Sequence, residues 1–252
     1  MKRGATGFLL SAFSLLGAAP ALADPRLDER VYSPYVQNHV LELELRRGQE
    51  LGGALGGART DVVELEYGLN DRISLALVGN LEREPDASTH LNGVGLEGVV
   101  YLGQIPGIGV DTGLYVEYIA GLNGEDDAAE VKLLLAKNAD RFQGLFNLIA
   151  EHPIGAPHGQ SYSSYGYAAS ATWRTFGALR LGVEAFGDLG DDHGFLDHSQ
   201  GAYIGPQLLW ESRPSWSPAE IEINAGWLAA IGPDRDEARS QARFTIELER
   251  HF

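Results

Sequence analysis

The chain has 252 residues, no cysteine and a formal net charge of -16. Such an acidic balance excludes phosphate-dominated binding to nucleic acid, which needs a basic surface. The absence of cysteine fits an exported chain without disulfides.

Lys2 and Arg3 precede an apolar run from about Gly7 to Ala19, followed by Pro20 and the small-residue site Ala21-Leu22-Ala23. This three-part layout predicts a secretory signal over 1–23 that is cleaved to leave Asp24 first. The run is shorter than the roughly 20 apolar residues that cross a bilayer as a helix. Residues 24–252 are expected to form one domain.

The mature chain reads as period-two alternation, the signature of strands with two unlike faces. His39–Arg47 alternates Leu41, Leu43 and Leu45 with Glu42, Glu44 and Arg46. After the glycine-rich stretch from Gly48 to Thr60, Asp61–Gly68 sets Val63, Leu65 and Tyr67 against Glu64 and Glu66. A tight turn at Leu69-Asn70-Asp71-Arg72 leads into Ile73–Glu82, and a polar loop into Gly93–Gly103. Gly109–Ala120, Glu130–Lys137, Arg141–Glu151, Tyr162–Arg174, Ala178–Gly187, Gly201–Glu211 and Ala219–Leu228 follow. The last strand, Ala242–Phe252, keeps its apolar face to the terminal Phe252, with Arg250 as the exception two places before the end.

That gives twelve strands, with short connections after the even-numbered ones and longer polar ones after the odd-numbered ones. Even strand number, strands of about 9–11 residues and loops sorted by length fit an all-β, single antiparallel transmembrane β-barrel. Both termini are then expected on the periplasmic side. The closing strand resembles that of a bacterial outer-membrane barrel, which implies outer-membrane lipid and lipopolysaccharide as surroundings. It also implies recognition of the strand ending in Phe252 by the barrel assembly machinery. Tyr67, Trp173, Trp210 and Phe252 fall near strand ends on the apolar face, where interfacial girdles form. The soluble alternative is a β-sandwich, which has no reason to sort its loops by length.

If the apolar face meets lipid, alternation sends the other face into the lumen. The residues expected to line it include Glu42, Glu44, Arg46, Glu64, Glu66, Arg72, Glu97, Glu117, Arg141, Arg180, Glu184, Glu222, Arg243, Glu247 and Glu249. Acids outnumber bases, which points to a passive pore or transporter for small solutes with a cation-preferring lumen. The competing reading is a structural or ligand-binding barrel whose lumen is closed by Glu–Arg pairs, with Asp24–Tyr35 placed to plug its periplasmic mouth. A third reading, a lipid hydrolase, rests on Asp197-His198-Ser199-Gln200-Gly201, which distantly resembles the active-site stretch of outer-membrane phospholipase A. There the histidine and serine stand two apart, whereas adjacent His198 and Ser199 point to opposite faces of a strand. The sequence therefore carries no catalytic residues, and no cofactor is implied. Glu125-Asp126-Asp127 and Asp188–Asp197 are acidic enough for a divalent cation, yet neither follows the spacing of a calcium loop, and both read as solvated loop tips.

Val63-Glu64-Leu65-Glu66-Tyr67-Gly68-Leu69-Asn70-Asp71-Arg72-Ile73-Ser74-Leu75 resembles the strand–turn–strand of outer-membrane proteins grouped with the MetA-pathway phenol-degradation, transporter-like family. The resemblance implies an outer-membrane barrel that passes or binds small molecules, with no catalytic residue to carry over.

Overall fold

The computed structural model describes residues 27–155, 162–196, 201–212, 214 and 219–252. The proposed signal over 1–23 lies outside these residues, as do His198 and Ser199. The twelve strands are β1 (Val40–Leu51), β2 (Arg59–Asn70), β3 (Ile73–Arg83), β4 (His90–Ile105), β5 (Val110–Gly121), β6 (Asp127–Ala139), β7 (Phe142–Ile154), β8 (Ser164–Phe176), β9 (Leu179–Asp191), β10 (Ala202–Ser212), β11 (Glu220–Ile231) and β12 (Ser240–His251). Each pairs antiparallel with its neighbours in sequence, and β12 pairs with β1 to close the barrel. Closure leaves no unpaired strand edge, the condition for placing a sheet in hydrocarbon.

All twelve expected strands are present, most of them extended by a few residues at the loop ends. The glycine-rich stretch expected from Gly48 to Thr60 shortens accordingly to 52–58. The 232–239 connection carries one turn of helix, α1 (Asp234–Glu237), which alternation had not indicated.

Sorting by length holds at 71–72, 106–109, 140–141 and 177–178, which define a short-turn end of the barrel. It fails at 213–219, which is as long as 52–58 at the opposite end. Pro214, just past the end of β10, fits the failure, since a residue without an N–H cannot extend the ladder there.

Burial fixes which face points inward. Glu44 and Glu64 are 1% exposed, whereas Leu43 and Leu65 beside them are 37% and 43% exposed. The inversion runs around the barrel, with Leu75, Leu77, Leu96, Val116, Leu133, Leu148 and Val183 exposed. An apolar outer belt over a polar interior is the arrangement that lipid demands of a barrel. Trp173, Phe176, Trp227 and Phe252 are also exposed on that belt or at its rims.

The interior is not a plain aqueous bore. Ile149, Ala168, Phe186, Tyr203, Leu228 and Ala230 form a buried apolar patch against Val31. Val99, Tyr115 and Leu134 form a second patch with Tyr32, against which Val36 packs. Val31, Tyr32 and Val36 belong to no strand; they come from the segment that precedes β1.

Candidate functional site: the lumen and its threaded segment

Residues 27–37 run along the inside of the barrel rather than across its mouth, which corrects the expected position of the Asp24–Tyr35 plug. Two wall glycines allow the close approach: a Cβ at Gly48 would overlap the Leu27 carbonyl, and one at Gly68 the Gln37 carbonyl. Tyr32 sits at the centre. Its N–H donates to Asn147 Oδ1 at 2.6 Å, and Asn147 Nδ2 donates to the Tyr32 carbonyl at 2.9 Å. Its hydroxyl donates to Glu97 Oε2 at 3.4 Å, and its ring centroid lies 4.5 Å from that of Tyr115. Toward the short-turn end, Tyr35 Oη donates to Asp111 at 2.8 Å and Gln37 Nε2 to Glu249 at 3.0 Å. At the barrel seam, His39 donates its N–H to the Gly68 carbonyl and accepts that of Phe252.

The segment's charges pair with the wall. Arg30 forms an ion pair with Glu44 and lies 3.1 Å from Glu247, while Glu29 accepts from Lys132 Nζ at 2.5 Å. Lys132 also reaches Glu130 at 3.0 Å and stands 4.5 Å from the centroid of the Tyr32 ring. Arg46 pairs with Glu44 at 2.5 Å and stands 3.9 Å from Glu64. Arg243 donates to the Glu29 carbonyl and covers Phe186, 3.9 Å from its centroid.

Register brings distant glutamates into rows. Following paired positions from strand to strand, one inward row reads Glu220, Glu249, Glu42, Glu66, Ala76, Glu97, Glu117, Glu130 and Glu151. Ala76 is its single interruption. Because strands in a barrel tilt, a row drawn across them winds around the axis. This one starts near the short-turn end at Glu220 and Glu249 and finishes near the long-loop end at Glu151. A shorter row beside it holds Glu222, Glu247, Glu44 and Glu64. Opposed side chains in such rows stand roughly 4.5–5.5 Å apart at Cβ, so the carboxylates repel and call for cations between them.

Two cavities flank the threaded segment. One, of about 310 Å³, is bordered by Arg30, Glu42, Glu66, Glu222, Glu247 and Glu249. The other, of about 690 Å³ toward the long-loop end, is bordered by Asp28, Glu50, Glu82, Glu117, Glu130 and Glu151. Glu97 borders neither and lies between them in the row, under the Tyr32 hydroxyl.

Of the residues expected to line the lumen, Glu42, Glu44, Arg46, Glu64, Glu66, Glu97, Glu117, Glu222, Glu247 and Glu249 are gathered in or beside these rows. Arg180 and Glu184 are buried on β9, with Arg180 Nε donating to Thr172 Oγ1 at 3.0 Å. Arg72 and Arg141 are exposed in the 71–72 and 140–141 turns and join no row. Chain reversal there ends the alternation that had assigned them inward.

Sequence reasoning missed Arg30 and Tyr32, which lie in a stretch without periodicity. The inward apolar patches did leave a trace: Leu133-Leu134-Leu135 is apolar on both faces of β6, as a wall packed from inside requires. Among the loops, Asp191, Asp192 and His193 bring ligand atoms within 4.8 Å of one another. Backbone N–H groups of His193 and Gly194 already bond Asp191 Oδ1, as in a solvated loop tip.

A closed antiparallel barrel that is apolar outside and charged within defines the porin-like class of outer-membrane β-barrels. Solved structures of that class are similar to this chain. A NanC porin aligns over 83% of this chain and 100% of its own, at 10% identity and a TM-score of 0.54. An outer-membrane channel, DcaP of Acinetobacter baumannii, aligns over 84% and 96%, at 9% identity and a TM-score of 0.31. At such identity the NanC likeness speaks to the fold alone. No protein-family model and no curated protein matches the chain, so the hairpin's resemblance to the MetA-pathway family gains no support from those comparisons.

Proposed function

We propose that this protein is a passive outer-membrane pore for small solutes, that it prefers cations, and that residues 27–37 set its aperture from within. The short-turn end then faces the periplasm, together with the C-terminus and the seam residues that lead into β1. The row of glutamates from Glu220 to Glu151 carries this reading, because it joins one cavity to the other with a single gap at Ala76. A cation moving along it exchanges one carboxylate for the next, except at the single step past Ala76. Such a mechanism needs no covalent step, and the reading is of a non-enzymatic protein.

The test is conductance of the purified full-length protein in a planar bilayer, with a salt gradient to read selectivity. A reversal potential favouring cations is expected, most strongly near 0.01 M salt, where the Debye length is about 30 Å. Replacing Glu64, Glu66 and Glu247 together by glutamine should weaken the preference. An anion-selective channel would overturn the reading.

The buried pairs of Arg30 with Glu44, Arg46 with Glu44 and Lys132 with Glu130 favour a second reading, a structural or ligand-binding barrel with a permanently filled lumen. Absence of conductance both in the wild type and in a variant whose segment has been loosened would select it. The MetA-pathway resemblance suits either reading and names no solute.

A further inference from the structure

Arg30 is not part of the wall. It enters on the threaded segment, and its guanidinium lies where three wall carboxylates converge: ion-paired with Glu44, 3.1 Å from Glu247 and 3.9 Å from Glu42. Those three side chains each place an oxygen within 4.8 Å of the others. Their placement owes nothing to Arg30. Glu42 and Glu44 stand two apart on β1, and Glu247 faces Glu44 across the closing seam, so register alone builds the cluster.

A second observation marks it as a receptor for positive charge. Glu64, opposite Glu44 on β2, is 1% exposed and its Oε1 has no hydrogen-bond partner among the described residues. Even with Arg30 and Arg46 in place, the wall holds acceptor capacity that is unused. The cavity of about 310 Å³ borders Arg30, Glu42 and Glu247 directly, so a solute has room to arrive.

The seated group also states the preferred chemistry. One terminal nitrogen of the guanidinium, Nη1, reaches all three carboxylates, and the group is planar and permanently charged, so a face is left for an aromatic ring. In this structure the guanidinium carbon lies over the Tyr32 ring, 4.4 Å from its centroid. Tyr32 and Arg30 arrive and leave together, because both belong to the segment.

We infer that Glu42, Glu44 and Glu247 form a binding site for guanidinium-bearing solutes, and that Arg30 occupies it as a tethered competitor. A solute gains the site when residues 27–37 draw back, and the segment reseats when the solute moves on along the glutamate row. The inference rests on the pore reading for its role in transport, although binding itself can be measured without any current.

Isothermal titration of the detergent-purified full-length barrel with methylguanidinium tests it. Wild type should show no binding heat. Arg30→Ala should bind one methylguanidinium per barrel, and R30A/E44Q/E247Q should bind it about a hundredfold more weakly, each of the two lost charge-assisted contacts contributing about tenfold. Equal binding by R30A and the triple variant, no binding by a folded R30A, or binding of calcium in its place would overturn the proposal. Should R30A fail to assemble, methylguanidinium added during folding should restore the heat-modifiable barrel where tetramethylammonium at equal ionic strength does not. Rescue by neither cation, or by both alike, would count against the site. A barrel that binds but never conducts would leave the site standing and remove the pore, and a conducting barrel whose R30A form ignores methylguanidinium would do the reverse.

Discussion

Asn147→Leu should release the threaded segment without harming the wall that holds it. Asn147 is fully buried on β7 and bonds both backbone groups of Tyr32, the N–H at 2.6 Å and the carbonyl at 2.9 Å. Leucine keeps the branching and the number of side-chain heavy atoms but offers neither partner. A buried backbone group left unsatisfied costs about 1–3 kcal/mol, so two cost about 2–6 kcal/mol if the segment stays in place. It need not stay, since the flanking cavities give it somewhere to go, and the lower figure is the one to expect. About 2 kcal/mol corresponds to a roughly thirty-fold shift from the seated to the unseated state. Hydrogen exchange read by mass spectrometry resolves this locally. The peptide covering 28–38 should exchange roughly thirty-fold faster in N147L, while peptides from β6, β7 and β8 keep their protection. In a bilayer the same variant should pass more current than the wild type. If 28–38 remained as protected as before in a correctly assembled barrel, the hydrogen bonds to Asn147 would not be what seats the segment. If β7 loosened equally, the segment would be part of the barrel's own stability.

The glycine contacts predict a similar outcome by a different route. Gly48→Ala and Gly68→Ala each place a methyl group against a segment carbonyl; overpacking of about 1–3 kcal/mol should expose Arg30 to trypsin about tenfold faster in a folded barrel. In the 232–239 connection, burial pushes the Asp234 carboxyl up to about 6, with Glu237 and Asp188 adding to the effect. An acid raised above its ordinary value lends stability that is complete below that value and is lost as pH rises through about 6. Hydrogen exchange across 232–239 should therefore be faster at pH 8 than at pH 5 beyond the intrinsic rate change, and Asp234→Asn should abolish that excess. A pH-independent opening in the wild type would refute it. Deleting Phe252, whose N–H donates to the His39 carbonyl at 3.0 Å, should lower the yield of heat-modifiable barrel more than deleting the exposed loop residue Glu84 does. Equal yields would remove the proposed role of the terminal residue in assembly.

Much of this molecule was legible without coordinates, because strand alternation is a local property. Leu43 beside Glu44 and Leu65 beside Glu64 point to opposite sides of an extended backbone wherever the strands lie, so the strands and their inward faces follow from the chain alone. Closure follows nearly as directly from the even strand number and the sorted loops. What alternation cannot supply is register and tilt. Glu42, Glu97 and Glu151 are scattered along the chain, and only the stagger of neighbouring strands places them in one winding row. The threaded segment was hidden for a different reason. Arg30, Tyr32 and Tyr35 follow no period, and each gains its place from partners on β1, β4, β5, β7 and β12. A stretch held entirely by side chains far away in sequence carries little local signal, so the filling of the lumen was decided by tertiary structure alone.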